Sequence, residues 1–149
     1  MYPKLVSISI ISVMLVVLAP VLTLRYTVHK TKVTYFEAMT RCIKNGGHLA
    51  TVLAPLQQHR IWSAITKASL SQESWWTSGT DLGMEGSWIW LARNVPLGSF
   101  AGYTNFIDGE PNNANGTEHC LAMVGGTKKG QWSDVGCDTL RFYVCEHDY

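Results

Sequence analysis

The sequence predicts an α+β domain: two helices first, then several antiparallel strands, held by cysteine bridges. Three observations predict it. Apolar residues recur at helical spacing along the N-terminal half. From Trp75 onward the period changes to alternation, in short runs parted by Gly, Asn and Pro. Cys42, Cys120, Cys137 and Cys145 form an even set in a chain that reads as exported.

The chain has 149 residues, 46% of them hydrophobic and six of them tryptophan, which suits one domain with a sizeable core. Its formal charge of +1 includes Lys4, so a product without the N-terminus is close to neutral. Lys and Arg are scattered, and Lys128-Lys129 is the only adjacent pair. No basic patch of the kind that neutralises phosphates is present, so nucleic acid is not an expected partner.

Residues 1–24 read as a signal peptide, leaving 25–149 as the domain. Lys4 precedes an apolar run from Leu5 to Leu24, long enough to rival a membrane anchor. Arg25, Lys30 and Lys32 follow the run and outnumber Lys4 before it, so a retained helix would leave the rest in the cytosol. The cysteines oppose that compartment, and patterned sequence begins at once at Tyr26. Cleavage and secretion, with no stable membrane anchor, are therefore expected. No clean small-x-small pair marks the cleavage site.

Tyr26-Thr27-Val28 suits a short strand. Thr34-Tyr35-Phe36-Glu37 is a capping-box signature, followed by Phe36, Met39, Cys42 and Ile43 at helical spacing and a stop at Gly46-Gly47. A second helix starts near Pro55, with Ile61, Trp62 and Ile65 as its buried stripe, and Ser69 to Glu73 is loop-like. Ser78 to Gly83 reads as turn-rich, and Trp88-Ile89-Trp90 alternates as a strand does. The region from Arg93 to Thr117 reads as one long loop. Loops beyond about 12–15 residues are uncommon inside compact domains and are usually functional. Strands follow at Cys120–Val124, around Trp132, and at Arg141–Cys145.

Inside the long loop, Glu110-Pro111-Asn112-Asn113-Ala114-Asn115-Gly116-Thr117-Glu118-His119-Cys120 concentrates carboxylate and amide oxygens, and Asp134 lies just before another cysteine. Ca²⁺ takes about six to eight such hard oxygen ligands. The absence of Cys-x-x-Cys and His-x-x-x-His spacing argues against zinc. Two disulfides are expected, with three pairings open; Cys42–Cys145 with Cys120–Cys137 would tie the domain's ends and close a small loop around Trp132.

Together these residues resemble the C-type lectin-like domain family. The likeness rests on Thr34 to Ala38 leading to Cys42, on Gly46-Gly47-His48-Leu49-Ala50, and on Glu110-Pro111-Asn112. It rests equally on Glu118 two residues before Cys120, on Trp132-Ser133-Asp134, on Cys137, and on Phe142-Tyr143-Val144-Cys145-Glu146. It covers nearly everything after the export signal. The stretch from Trp76 to Trp90 is most similar to secreted single-domain lectins of insects, and stands where the family often has Trp-Ile-Gly. The resemblance implies the short four-cysteine form, pairing Cys42 with Cys145 and Cys120 with Cys137, a long calcium and ligand loop, and a cis peptide before Pro111.

It also implies a site. Glu110, Asn112 and Glu118 would each give Ca²⁺ a side-chain oxygen, and Asp134 a carboxylate oxygen and its backbone carbonyl. The family usually has Asn where Ser133 stands. A shorter hydroxyl is a weaker ligand, so lower calcium affinity and a larger loss of sugar affinity are expected. A calcium-bound sugar hydroxyl still donates one proton and accepts one hydrogen bond, which an acid and amide pair such as Glu110 with Asn112 satisfies. In the family, Glu-Pro-Asn goes with mannose, fucose or glucose. A second calcium site of some relatives looks incomplete: Asp81 and Glu85 stand at two of its ligand positions, but Asn113 and His119 replace two acids.

Blander readings stand beside these. Trp76, Trp88, Trp90 and Trp132 on strands are more often core than sugar platforms. Asp81 and Glu85 read as solvated turn residues, and His119 as an exposed loop histidine. Asn115-Gly116-Thr117 is a glycosylation sequon beside the site. No nucleophile elbow, metal-hydrolase helix or phosphate loop occurs. Glu110 and Glu118 could suggest glycoside hydrolysis, but their Asn-rich setting suits an ion better. A calcium-dependent lectin for glycans on glycoproteins or microbial surfaces, monomeric or weakly dimeric, is the expected function. The alternative is a calcium-independent protein-interaction module with a decayed metal site.

Overall fold

The computed structural model describes residues 24–99 and 102–148. The signal-peptide reading of residues 1–24 falls outside this range except for Leu24. Eight strands and two helices follow in order: β1 (Arg25–Val33), α1 (Tyr35–Lys44), β2 (His48–Leu49), α2 (Pro55–Lys67), β3 (Ser74–Thr80), β4 (Ile89–Trp90), β5 (Val95–Pro96), β6 (Cys120–Val124), β7 (Gln131–Val135) and β8 (Arg141–His147).

The α+β expectation holds. β1 and β8, the ends of the described chain, pair antiparallel with Arg25 opposite His147. β8 continues to β3, β4 and β5, while β6 pairs with β3 and β7. One feature departs from a purely antiparallel set: β3 and β8 run parallel, with Trp75 opposite Phe142 and Trp76 opposite Tyr143. They are distant in sequence, so the chain has room to cross over between them.

β3 separates two cores because successive strand side chains face opposite ways. Trp76 joins Tyr35, Ala38, Cys42, Leu49 and Tyr143 on one side. Trp75 joins Ile61, Ile65, Trp90, Met123 and Trp132 on the other. Each helix covers one face. Both faces of the strand are therefore dry, which is why Ser78-Gly79-Thr80, expected as turn, continues the strand: turn-prone residues here are small ones that fit between layers. A Cβ on Gly79 would lie 2.6 Å from Leu121 Cδ2.

The helices differ from expectation in detail. Along α1 the buried residues are Tyr35, Ala38 and Cys42, while Phe36 and Ile43 are exposed. The capping box does not form. The Thr34 side chain makes no cap bond; Tyr35 N–H finds Cys137 O at 3.0 Å instead, and Glu37 pairs with Arg41 at 2.8 Å. Along α2, Ile61 and Ile65 are buried and Trp62 packs partly against them. Disulfides join Cys42 to Cys145 and Cys120 to Cys137, as the family resemblance implies.

Candidate functional site

Trp132 anchors the long loop to the sheet. Its N–H donates to Asn105 O at 2.8 Å, and its carbonyl accepts from Ile107 N at 2.8 Å. Its fully buried ring meets Trp90, Tyr103 and Phe106 edge-on, at centroid distances of 5.3, 5.7 and 5.5 Å. Its indole N–H donates to Gln58 Oε1 at 2.9 Å. Burying so large a ring stabilises the loop's attachment by about 3–5 kcal/mol relative to alanine. The next two residues, Ser133 and Asp134, are thereby held against the loop.

There the loop turns through a cis peptide between Glu110 and Pro111. Asp134, 1% exposed, accepts the backbone N–H of Asn112 at 3.1 Å and of Asn113 at 2.6 Å. Ser133 Oγ lies within donating distance of Glu110 Oε2 at 2.9 Å and of Asp134 O at 3.0 Å. Asn112 Nδ2 donates to Glu110 Oε1 at 2.5 Å, which turns its own amide oxygen away from that carboxylate. Burial first, and the nearby Asp134 carboxylate second, hold the Glu110 carboxyl above the ordinary range, with the Ser133 hydroxyl opposing.

Glu118 closes the other side. Its Oε2 accepts Ala114 N at 3.1 Å, and its own N–H donates to Asn113 Oδ1 at 3.0 Å. Glu110, Asn112, Glu118, Ser133 and Asp134 are thus parts of one connected network. Asn113, at φ 44°, is its junction. Asparagine tolerates this left-handed backbone better than most residues. Asn115 is exposed in the short turn Ala114–Gly116.

The same Asn113 donates from Nδ2 to Glu85 Oε2 at 2.6 Å and so reaches a second cluster. His119 Nδ1 lies 3.1 Å from Asp81 Oδ1 and 3.4 Å from Glu85 Oε2. Ligand atoms of Asp81, Glu85 and His119 all fall within 4.8 Å of one another. Asp81 is no solvated turn residue: it is 2% exposed and accepts Gly86 N–H at 2.7 Å. His119 is likewise engaged rather than free in solvent. A nitrogen and two carboxylates can hold a divalent cation.

Residues 31–147 match the sequence model of the lectin C-type domain. The chain belongs to the C-type lectin domain family. Collectin-11 of Danio rerio is 34% identical over 123 residues, which is 83% of this chain and 42% of that protein. Salivary C-type lectin 2 of Aedes albopictus is 30% identical over 119 residues, 76% of each chain. The chain thus spans under half of the first relative and most of the second. Among solved structures, the carbohydrate-recognition domain of the mouse scavenger receptor C-type lectin superposes with TM-score 0.72 at 27% identity, covering 85% of this chain and 91% of that one.

Three of the four tryptophans weighed as sugar platforms belong to the lectin domain's core: Trp76, Trp90 and Trp132 are fully buried. Trp88 is partly buried against Phe106. Two features escaped sequence reasoning. One is Asn113 as a junction, signalled only by asparagine's tolerance of positive φ. The other is Arg93, whose Nε donates to the buried Glu146 at 2.7 Å while its Nη2 reaches Asp148 at 2.7 Å. No local spacing signals that pairing.

Proposed function

We propose that this chain is a secreted lectin that binds mannose-, fucose- or glucose-type sugars through a calcium ion, and performs no chemistry. Glu110, Asn112, Glu118, Ser133 and Asp134 hold the ion in this reading. One observation carries it: hydrogen bonds through Ser133 and Asn112 tie Glu110 to Asp134, and Asn113 links Asp134 to Glu118, so three carboxylates belong to one network, with Glu110 held above its ordinary range chiefly by burial. Carboxylates gathered in one network accept a hard cation readily, because the ion removes their like-charge cost. The donor set fits calcium: carboxylates, an amide oxygen and a backbone carbonyl are all hard oxygens. Glu110 with Asn112 supplies the acid and amide that a calcium-bound sugar hydroxyl needs on either side.

Membership of the family and relatives named as lectins support carbohydrate as the ligand class. Glycans on glycoproteins or microbial surfaces are the partners this chemistry serves, with the protein a monomer or weak dimer. Two disulfides suit an extracellular setting, and Asn115, exposed in its turn, would carry a glycan in this reading. Among the described residues no helix is long and apolar enough to cross a membrane.

A specific observation favours one second reading. The hydrogen bonds from Ser133 and Asn112 to Glu110 satisfy would-be ligand oxygens internally. A protein-interaction module needing no calcium would keep that arrangement. Passage over mannose- and fucose-agarose in calcium decides between them. The lectin reading expects retention, elution by chelator, and loss of retention in Glu110→Ala/Asn112→Ala. Passage without retention favours the interaction module, and retention indifferent to chelator contradicts the calcium route.

A further inference from the structure

A concavity of about 480 Å³ lies between α2, the segment carrying Tyr103 and Asn105, and the turn joining β6 to β7; the region expected as one loop over Arg93–Thr117 in fact contains β5. None of the proposed calcium ligands lines it. Its walls carry two partly buried aromatic rings, Trp62 and Tyr103, and its rim carries exposed His59, Lys128 and Lys129. Among the described residues neither lysine has a carboxylate within 4.0 Å. Nor does a cation already sit over Trp62 or Tyr103 among those residues. Both charges are unpaired among those residues, and both rings line the cleft.

The cleft is held in shape by its own packing. Gly130 has φ +86°, and a Cβ there would fall 2.7 Å from Trp62 Cε3 and 3.1 Å from Gln58 Nε2. The lysine-bearing turn can therefore press directly on α2. Gln58 locks the contact, donating to Gly130 O at 2.8 Å and accepting from Trp132 at 2.9 Å. Lys129, at φ 50°, is fixed by the same turn.

We propose that this cleft binds a sulfated sugar residue and uses no metal to do so. A pyranose offers an apolar C–H face that packs on an aromatic ring. Its sulfate offers oxygens that pair with two adjacent ammonium groups. The chain's formal charge is only +1, so affinity for a polyanion must come from a local cluster rather than from bulk charge. Lys128-Lys129 is the one such pair in the sequence. Gln131 of the cleft and Ser133 of the proposed calcium site lie two residues apart on β7, so one extended glycan can reach both.

The test is calorimetric titration of the full protein with a heparin-derived tetrasaccharide in EDTA at about 0.1 M salt. The proposal expects binding that weakens roughly tenfold in Lys128→Glu/Lys129→Glu and vanishes for the desulfated tetrasaccharide. Lys30→Glu/Lys44→Glu, carrying the same charge change on other surfaces, should alter it less than about twofold. Equal loss in both variants overturns the proposal in favour of diffuse charge. Equal binding of a glutamate-rich peptide overturns it in favour of an acidic peptide site, and no binding of the sulfated sugar overturns it outright. Because EDTA removes calcium, these outcomes are separate from the mannose-agarose result, which Lys128→Glu/Lys129→Glu should leave intact.

Discussion

Ser133 sits between two acceptors, Glu110 Oε2 at 2.9 Å and Asp134 O at 3.0 Å, and a hydroxyl has only one proton to divide between them. An asparagine there would instead extend a carbonyl oxygen toward the ion and an amide toward the sugar. Ser133→Asn should therefore tighten calcium binding by roughly tenfold, about 1.4 kcal/mol, read by titration with CaCl₂. Unchanged or weaker binding would show that position 133 does not face the ion. At this scale the gathering of Glu110, Asn112, Glu118, Ser133 and Asp134 was legible, because they lie on one loop and on the strand beside a cysteine. The bonds that Asn113 makes to Asp134, Glu118 and Glu85 were not, since they depend on a left-handed backbone that brings distant groups together. The burial of Asp81 was hidden for a similar reason: β3 carries it to the sheet's end, where the Gly86 and His119 contacts enclose it.

Elements were legible where a periodicity or an unbroken apolar run ruled, as along α2 and β6 respectively, and misread where composition and burial disagreed. Ser78-Gly79-Thr80 has turn composition but lies between β4 and β6, where small size is what matters. Gly79→Ala should accordingly destabilise the protein by about 1–3 kcal/mol in urea denaturation, because Leu121 stands in the way. A neutral result would mean that β6 yields at no cost. On β8, burial first holds the Glu146 carboxyl above the ordinary range, opposed by Thr51 N–H and Arg93. A carboxyl raised in the folded state contributes stability below its unfolded value of about 4.3, lost as pH rises through the folded value. The melting temperature of the wild type relative to Glu146→Gln should thus increase as pH falls from neutral toward that value. A difference that stays flat or shrinks would contradict the burial argument.

For the molecule as a whole, the two cores on either face of β3 follow from alternation, and the Cys42–Cys145 bridge is as the family resemblance implies. The parallel register of β3 with β8 was not legible, since strand direction across a long crossover leaves no trace in local sequence. The Cys42–Cys145 bridge spans 103 residues and the Cys120–Cys137 bridge 17. On chain-entropy grounds, replacing the first pair by alanine should cost about 4–5 kcal/mol and the second about 3 kcal/mol. The reverse ranking in chemical denaturation would show that local strain or residual structure outweighs loop length.

The proposed function requires that a calcium ion bind between the Glu110 turn and the end of β7. Isothermal titration of the purified protein with CaCl₂ at neutral pH tests it most directly. The account predicts a saturable heat in the millimolar range or tighter, abolished in Glu110→Ala/Asn112→Ala and fading as the carboxylates protonate in acid. No heat at millimolar calcium, or the same heat in that variant, would contradict it.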